Sequence, residues 1–145
     1  MHSALKKEEI TIEDFFDQSG NIKPELISDM GENNLMKTID LLRETVKDGT
    51  RKINDTLRGT QLRKFYDSFL RIYHSKVSED EKKVQLLMLK SNGEYSSNRL
   101  KIARFGIFLD NRIKIILNKN GADFDKYLEA LKLHFEALVG YFPKN

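Results

Sequence analysis

Residues 123–142, DFDKYLEALKLHFEALVGYF, contain the pattern that decides the fold. Their large apolar residues recur every three or four positions and, at about 100° per residue, fall within about 80° of one another on a helix. These residues are Phe124, Leu128, Leu131, Phe135, Leu138 and Phe142. Asp123 is a suitable N-cap and Pro143 follows the last of them. The stretch therefore predicts a C-terminal helix that buries one side.

Four further segments upstream carry the same spacing of three and four residues. The first follows Asn34 and ends at Asp48-Gly49, where glycine interrupts the pattern. The second begins at Thr60, an N-cap that follows Gly59. Each segment has one predicted buried stripe, formed by Leu35, Ile39, Leu42 and Val46 in the first and by Leu62, Phe65, Phe69, Ile72 and Tyr73 in the second.

The third and fourth segments are bounded by capping and glycine signals. Ser78 and Glu81 form a capping box that begins the third segment, and Asn92-Gly93 ends it. Its predicted buried side consists of Val84, Leu87 and Met88. A long helix follows over residues 98–118 and is closed by Asn120-Gly121. No segment alternates with the two-residue period of a strand. The sequence therefore predicts an all-α fold, a compact bundle of about five helices.

The first 33 residues differ from the rest in charge. They hold three lysines against eight acidic residues, whereas residues 34–145 hold 22 basic and 14 acidic residues. Gly20-Asn21 and Lys23-Pro24 interrupt any long periodic segment, although Thr11 with Asp14 resembles the start of a short helix. We therefore predict a loosely ordered acidic arm over residues 1–33 and a single helical-bundle domain over residues 34–145.

Composition excludes several functional classes. The 145 residues include no cysteine, which removes disulfides, thiolate nucleophiles and cysteine metal sites. No apolar run approaches the roughly 20 residues of a membrane-spanning helix, and the N-terminal residues lack the pattern of a secretory signal. We therefore expect a soluble, cytoplasmic protein with no cofactor and no metal site.

Two histidines remain as candidates for catalysis. His74 ends the second predicted helix, and His134 lies beside the stripe of the last. A metal-free ribonuclease could use either as a general base, but histidine more often caps or packs. The acidic run Glu79 to Glu81 could hold a metal, but an acidic first turn that complements the helix dipole is the simpler interpretation. We expect the chain not to be an enzyme.

Basic residues form two predicted clusters. The first lies on the long helix within about 80° of one face and surrounds Phe108; it consists of Lys101, Arg104, Arg112 and Lys119. The second lies around the start of the second helix and includes two neutral donors; it consists of Arg51, Lys52, Arg58, Thr60, Gln61, Arg63 and Lys64. Cations release counterions from phosphates, and an aromatic ring can stack on an unpaired base. The clusters predict binding of single-stranded nucleic acid. The alternative is that Phe108 packs in the core, Thr60 is only a cap and the charges are solvated.

Two strings resemble a known family. TQLRKFY at residues 60–66 resembles the signature of the small subunit of type III-A CRISPR complexes, the Csm small subunit, and FEALVGYF at residues 135–142 resembles the family's C-terminal end. The resemblance implies a non-catalytic subunit, present in several copies beside other effector subunits, that holds single-stranded target RNA. Arg63 and Lys64 carry over from the matched string; the other basic residues rest on charge placement. A rival interpretation is a helical adaptor or dimer whose exposed aromatics dock a partner protein.

Overall fold

The computed structural model of this protein describes residues 7–143. Its helices are α1 (Lys7–Ile10), α2 (Leu35–Arg43), α3 (Gly59–His74), α4 (Glu79–Leu100), α5 (Ala103–Leu117) and α6 (Gly121–Tyr141), with a 3₁₀ turn at Pro24–Leu26. An antiparallel hairpin of β1 (Val46–Asp48) and β2 (Arg51–Asn54) connects α2 to α3. Within the described residues, five helices of nine residues or more form one bundle, which confirms the predicted fold class.

Helix α6 lies against the centre of the core. All six residues of its predicted stripe are buried, so that prediction is confirmed. The Phe135 ring lies 5.4 Å from the ring of Tyr66 and 6.0 Å from that of Phe69, both on α3, measured between ring centres. Its centre is also 6.2 Å from that of Phe108 on α5. One aromatic side chain therefore joins three helices, in the edge and tilted arrangements that aromatic pairs prefer.

Helices α4 and α5 approach each other closely through glycine. A Cβ atom at Gly93 would lie 2.6 Å from Leu109 Cδ2, and one at Gly106 would lie 2.5 Å from Ser97 Oγ. Gly93 therefore serves packing, and the prediction that it ends a helix is wrong. The chain breaks instead at Lys101, whose φ of 58° is left-handed, so helix α5 begins at Ala103 rather than near residue 98.

The buried side of α4 also differs from the prediction. Leu86 and Leu89 face the core. The three residues predicted to be buried there are instead exposed: Val84 by 49%, Leu87 by 48% and Met88 by 62%. Because α4 carries apolar residues on two opposite sides, spacing alone could not decide which side packs. No helix in the described part of the chain is both long enough and apolar enough to span a bilayer.

Residues 9–33 pack onto the bundle, which differs from the loosely ordered arm predicted for residues 1–33. Ile10, Phe15 and Leu26 are buried in the same core as the helices. The backbone of Ile12 exchanges two hydrogen bonds of 3.0 Å with the Asn111 side chain. These apolar anchors, not the acidic surface residues between them, decide the placement of the segment. The predicted short helix after Thr11 does not form; residues 1–6 lie outside the described part.

The structure also differs from the prediction in containing a β-hairpin, where the sequence predicted no strand. Helix α2 ends at Arg43, and Val46, predicted to lie on its stripe, stands in strand β1. Strand β1 ends at Asp48, and Gly49 and Thr50 form the turn, where Gly49 has a φ of 64° that suits glycine. Glycine as the first of two turn residues is typical of tight hairpins, so the prediction of no sheet missed a local signal.

Candidate nucleic-acid interface

The start of α3 presents four predicted residues to solvent. Leu62 and Tyr66 turn toward the core, which leaves Thr60, Arg63 and Lys64 on the outer faces of the first two turns. Arg58, the N-cap, is exposed as well. Gln61 is half-buried, and its Oε1 accepts a 2.8 Å hydrogen bond from the backbone N–H of Arg58. Gln61 therefore caps the helix, and only its amide N–H groups stay available to a ligand.

The hairpin presents Arg51 and Lys52 on a supported strand. Arg51 is exposed, whereas Lys52 is half-buried with its Nζ 3.6 Å from Asp55 Oδ2. Asn54 fixes the strand from below, because its side chain is fully buried and donates to the backbone oxygen of Glu44 at 2.9 Å. Its Oδ1 also accepts from the backbone N–H of Arg104 at 3.2 Å. The hairpin is thus tied to the ends of two helices.

Arg104 does not lie on an exposed basic face. Its side chain is 1% exposed, and its Nη1 donates to the Leu41 carbonyl at 3.0 Å and to Glu44 Oε1 at 2.9 Å. A guanidinium group has five N–H donors, so it can satisfy carbonyl groups left over at a helix end. Arg104 holds the end of α2, and its predicted contact with RNA is wrong because no phosphate can reach it.

Arg112 is also buried, with 1% of its surface exposed. Nη1 donates to the carbonyl of Ile10 and, at 2.7 Å, to Asn111 Oδ1, while Nε donates to His134 Nε2 at 3.2 Å. The guanidinium lies 4.3 Å from the ring centre of Phe108. Burial lowers the pKa of Arg112 to about 9, so the group stays charged at neutral pH. Its predicted role in RNA binding is therefore wrong as well.

His134 and Phe108 complete this buried cluster. Because the Nε of an arginine can only donate, His134 Nε2 must accept, and its Nδ1 then donates to the Leu26 carbonyl 2.6 Å away. Burial, together with the charge of Arg112, lowers the pKa of His134 to about 3. Phe108 is fully buried, which confirms the alternative that it packs against neighbouring helices.

The two lysines of the predicted stripe lie in different places. Lys101 is exposed, and its carbonyl accepts a hydrogen bond from the backbone N–H of Asp55, so it lies beside the hairpin. Lys119 is half-buried, with its Nζ 4.6 Å from the ring centre of Tyr127. The stripe predicted on one helix is therefore divided: Lys101 lies beside the hairpin that precedes α3, and Lys119 lies on Tyr127.

Sequence reasoning missed two residues at this surface. Tyr95 and Arg99 project from α4 into a groove of about 330 Å³ that is lined on the α3 side by Gln61 and Lys64. Tyr95 was assigned to a connection because Gly93 was interpreted as a stop, and Arg99 was assigned to the start of the separate helix predicted over residues 98–118. Had α4 been continued, the spacing of four residues between the tyrosine and the arginine would have put them on one face.

The residues considered for catalysis have structural contacts. His74 is exposed and lies edge-on to the Tyr73 ring, 5.0 Å between ring centres. Glu79 pairs with Lys83 at 3.2 Å and accepts from the backbone N–H of Gly121 at 2.8 Å. Over residues 9–143, no group of three or more histidine, aspartate and glutamate side chains has an arrangement that could hold a metal ion.

Comparisons with known proteins identify the family. Neither the search of curated proteins nor that of solved structures found a match. The family model described as Csm2 Type III-A matches residues 36–143, which include α2 from its second residue, the hairpin, and all of α3 to α6. This match covers most of the chain and includes both strings that suggested the resemblance. The chain therefore belongs to the Csm2 Type III-A family, the small subunit of type III-A CRISPR effector complexes.

Proposed function

We propose that this subunit binds single-stranded target RNA within the type III-A effector complex, through a basic surface around the start of α3. We call this the α3 basic surface and define it as Arg58, Arg63, Lys64, Arg99 and Lys101. The observation that carries the proposal is that α3 and α4 each contribute an exposed cation to one groove, Lys64 and Arg99, and that no acidic residue lines it.

The chemistry of the α3 basic surface favours the backbone of RNA over its sequence. Each cation that neutralises a phosphate releases condensed counterions, which gives affinity without base discrimination. The N-terminal backbone amides of α3 add donors that favour an anion. Arg51 and Lys52 on the hairpin can extend the surface, and Thr60 and Gln61 supply neutral donors. Arg104 and Arg112 contribute indirectly, since they hold the hairpin and the helices in place.

The proposed role requires no reaction on this chain. The guide RNA would supply specificity by base pairing, and the small subunit would hold the target beside the other effector subunits. In the cytoplasmic complex, several copies of the chain would stack so that their basic surfaces join into one continuous groove that holds the RNA. The family supports association with other type III-A subunits, whereas self-association and RNA contact belong to this proposal.

A test compares two double substitutions that remove the same charge, one at the start of α3 and one at and just after its end. Arg63→Gln with Lys64→Gln should weaken binding of unstructured RNA by the assembled complex. Because about 0.7 counterions are released per phosphate contact on a single strand, the slope of log K against log salt should become shallower by about 1.4 per copy that contacts RNA. The matched control, Arg71→Gln with Lys76→Gln, changes two exposed cations beyond the α3 basic surface. Equal slopes for the two variants would refute the assignment.

A protein-binding adaptor is the second candidate, and one observation favours it. Val84, Leu87, Met88 and Tyr95 lie exposed along the outward side of α4, which makes an apolar surface of the kind that marks protein interfaces. The adaptor interpretation also requires exposed aromatic residues, and Tyr141 on the last helix is 42% exposed. If the wild-type complex bound RNA with no dependence on salt, the basic surface would be irrelevant and the adaptor function would be preferred.

A further inference from the structure

We propose that the groove between α3 and α4 seats one unpaired base of the bound RNA, with Tyr95 as the stacking surface and with Lys64 and Arg99 holding the adjoining phosphates. This inference rests on the proposed RNA binding and adds the position at which a base lies. It concerns residues 61–100, where the two helices diverge enough to leave about 330 Å³ of open volume.

Tyr95 has the geometry of a stacking platform. Its side chain is 68% exposed, although it belongs to a well-packed helix whose opposite side reaches the core through Gly93 and Ser97. A tyrosine ring has only two side-chain torsions, so little conformational entropy is lost when a ligand orders it. Every nucleobase offers a flat π face, and a sequence-tolerant binder can use such a ring at any position along the strand.

Arg99 and Lys64 supply positive charge to the groove that contains that ring. The Arg99 guanidinium carbon lies 6.0 Å from the ring centre of Tyr95, one helical turn away on α4. Lys64 lies across the groove on α3. In the described part of the chain neither side chain takes part in an ion pair. Both charges are therefore available to phosphates that flank a stacked base.

The charge of the groove at Tyr95 differs from that of a second groove in the described part of the chain. The groove lined by Thr11, Glu13, Asp110 and Lys114 mixes acidic and basic groups. Its Asp110 is already engaged, because its two oxygens lie 3.0 Å from Lys90 Nζ and 3.1 Å from Lys114 Nζ. The charged residues that line the groove at Tyr95 are all basic, so this groove favours a polyanion, whereas the mixed charges of the other groove give no such preference.

Neutral groups complete the proposed base site. Phe65 and Leu89 form an apolar floor, and Asn92 and Ser96 bring an amide and a hydroxyl to the wall. An amide and a hydroxyl can each donate or accept, so they can pair with the edge of any base. The site therefore suits a stacked base without selecting its identity, as a guide-directed complex requires.

The first experiment locates the base by crosslinking. The full-length chain, alone and in the assembled complex, is irradiated with oligouridine that contains 5-iodouridine and is then digested with trypsin. We expect the crosslinked peptide to be residues 91–99, SNGEYSSNR, which lies between cleavage sites after Lys90 and Arg99 and contains Tyr95. RNA crosslinks at other peptides of the chain, with none at this peptide, would overturn the proposal.

The second experiment separates stacking from charge. Tyr95→Ala should weaken oligouridine binding by roughly 5- to 150-fold at every salt concentration, the range expected from losing one base–aromatic stack, and should leave the salt slope unchanged. Tyr95→Phe, which keeps the ring, should bind within about threefold of wild type. Lys64→Gln with Arg99→Gln should flatten the slope instead. Tyr141→Ala, an exposed tyrosine on α6, is the matched control and should have no effect.

The outcomes distinguish this inference from the function on which it rests. If Tyr95→Ala binds like wild type while the charge substitutions still flatten the slope, RNA binding stands and the base site is wrong. If wild type shows no salt-dependent RNA binding in the complex, both are wrong. Thermal unfolding of each variant is measured alongside, and an unchanged midpoint assigns a loss of affinity to the groove itself.

Discussion

The arginines of α5 and the basic residues at the start of α3 have the same chemistry and opposite placements. Arg104 and Arg112 are each 1% exposed, whereas Arg63 and Lys64 are exposed. The buried pair donates to carbonyl groups of the last turns of α2 and α1, Leu41 and Ile10. Short helices end in carbonyl groups without partners, and an arginine from a neighbouring helix can satisfy several at once. Basic residues that recur along a helix in the sequence can therefore be buried and can stabilise the ends of neighbouring helices, rather than bind a ligand at the surface.

The largest effect is expected from Arg112→Leu. The substitution leaves the Ile10 carbonyl and the buried His134 Nε2 without their donor, and each buried polar group left unsatisfied costs about 1–3 kcal/mol. We expect the free energy of unfolding, measured by urea titration, to fall by about 3–5 kcal/mol. Proteolytic cleavage within residues 9–33 should accelerate, because Ile10 and its neighbours lose their anchor. Arg63→Leu is the control, and a loss below about 1 kcal/mol for Arg112→Leu would contradict the buried role.

The second effect concerns pH and His134. Its pKa in the folded protein is lowered to about 3, whereas in the unfolded chain it is near the ordinary value of about 6.5. Between these values the unfolded chain binds the proton and the folded protein does not, so this contribution to stability is complete above pH 6.5 and is lost as the pH falls toward 3. Linkage sets the limiting slope at about 1.4 kcal/mol per pH unit within this window.

His134→Gln tests this dependence, because glutamine can still donate to Leu26 and accept from Arg112 without titrating. The variant should lose most of the wild-type slope of unfolding free energy between pH 6 and pH 4, measured by urea titration at each pH. His74→Gln removes an exposed histidine and should keep the wild-type slope. Parallel curves for wild type and His134→Gln would show that the buried ring is not the group that titrates.

The smallest effect on stability is expected at the start of α3. Arg63→Gln with Lys64→Gln should change the free energy of unfolding by no more than about 0.5 kcal/mol, since exposed side chains away from buried networks contribute little. The salt dependence of RNA binding should change in the same protein. A loss of stability above about 1.5 kcal/mol would mean that these cations also serve internal packing, and the contrast with α5 would disappear.

Sequence pattern predicted α3 and α6 well because each has a single apolar stripe. Phe124, Phe135 and Phe142 occupy one face of α6 and all are buried. Helix α4 was harder, since Leu86 and Leu87 are adjacent and only the first is buried. The role of Gly93 was also predicted wrongly. A glycine that ends a helix and a glycine that makes room for a neighbouring side chain look the same in sequence, and only the contact with Leu109 in the structure shows that Gly93 is of the second kind.

The candidate site was predicted in part. Arg58, Arg63 and Lys64 were assigned to a surface near a helix start, and their exposure agrees with that placement. Tyr95 and Arg99 were missed, because they reach the site only where α4 lies beside α3. Lys101 was assigned to the wrong neighbours, since its left-handed backbone removes it from α5.

By itself the sequence determined the helical class, the faces of the helices with one apolar stripe, and the strings that relate the chain to its family. Only the tertiary structure decided which cations reach solvent and that residues 9–33 join the core. The physical reason is that spacing gives the angle of a side chain around its own helix axis. Burial depends on what packs at that angle, and for Arg104 and Arg112 this is the carbonyl ends of α2 and α1, far away in sequence.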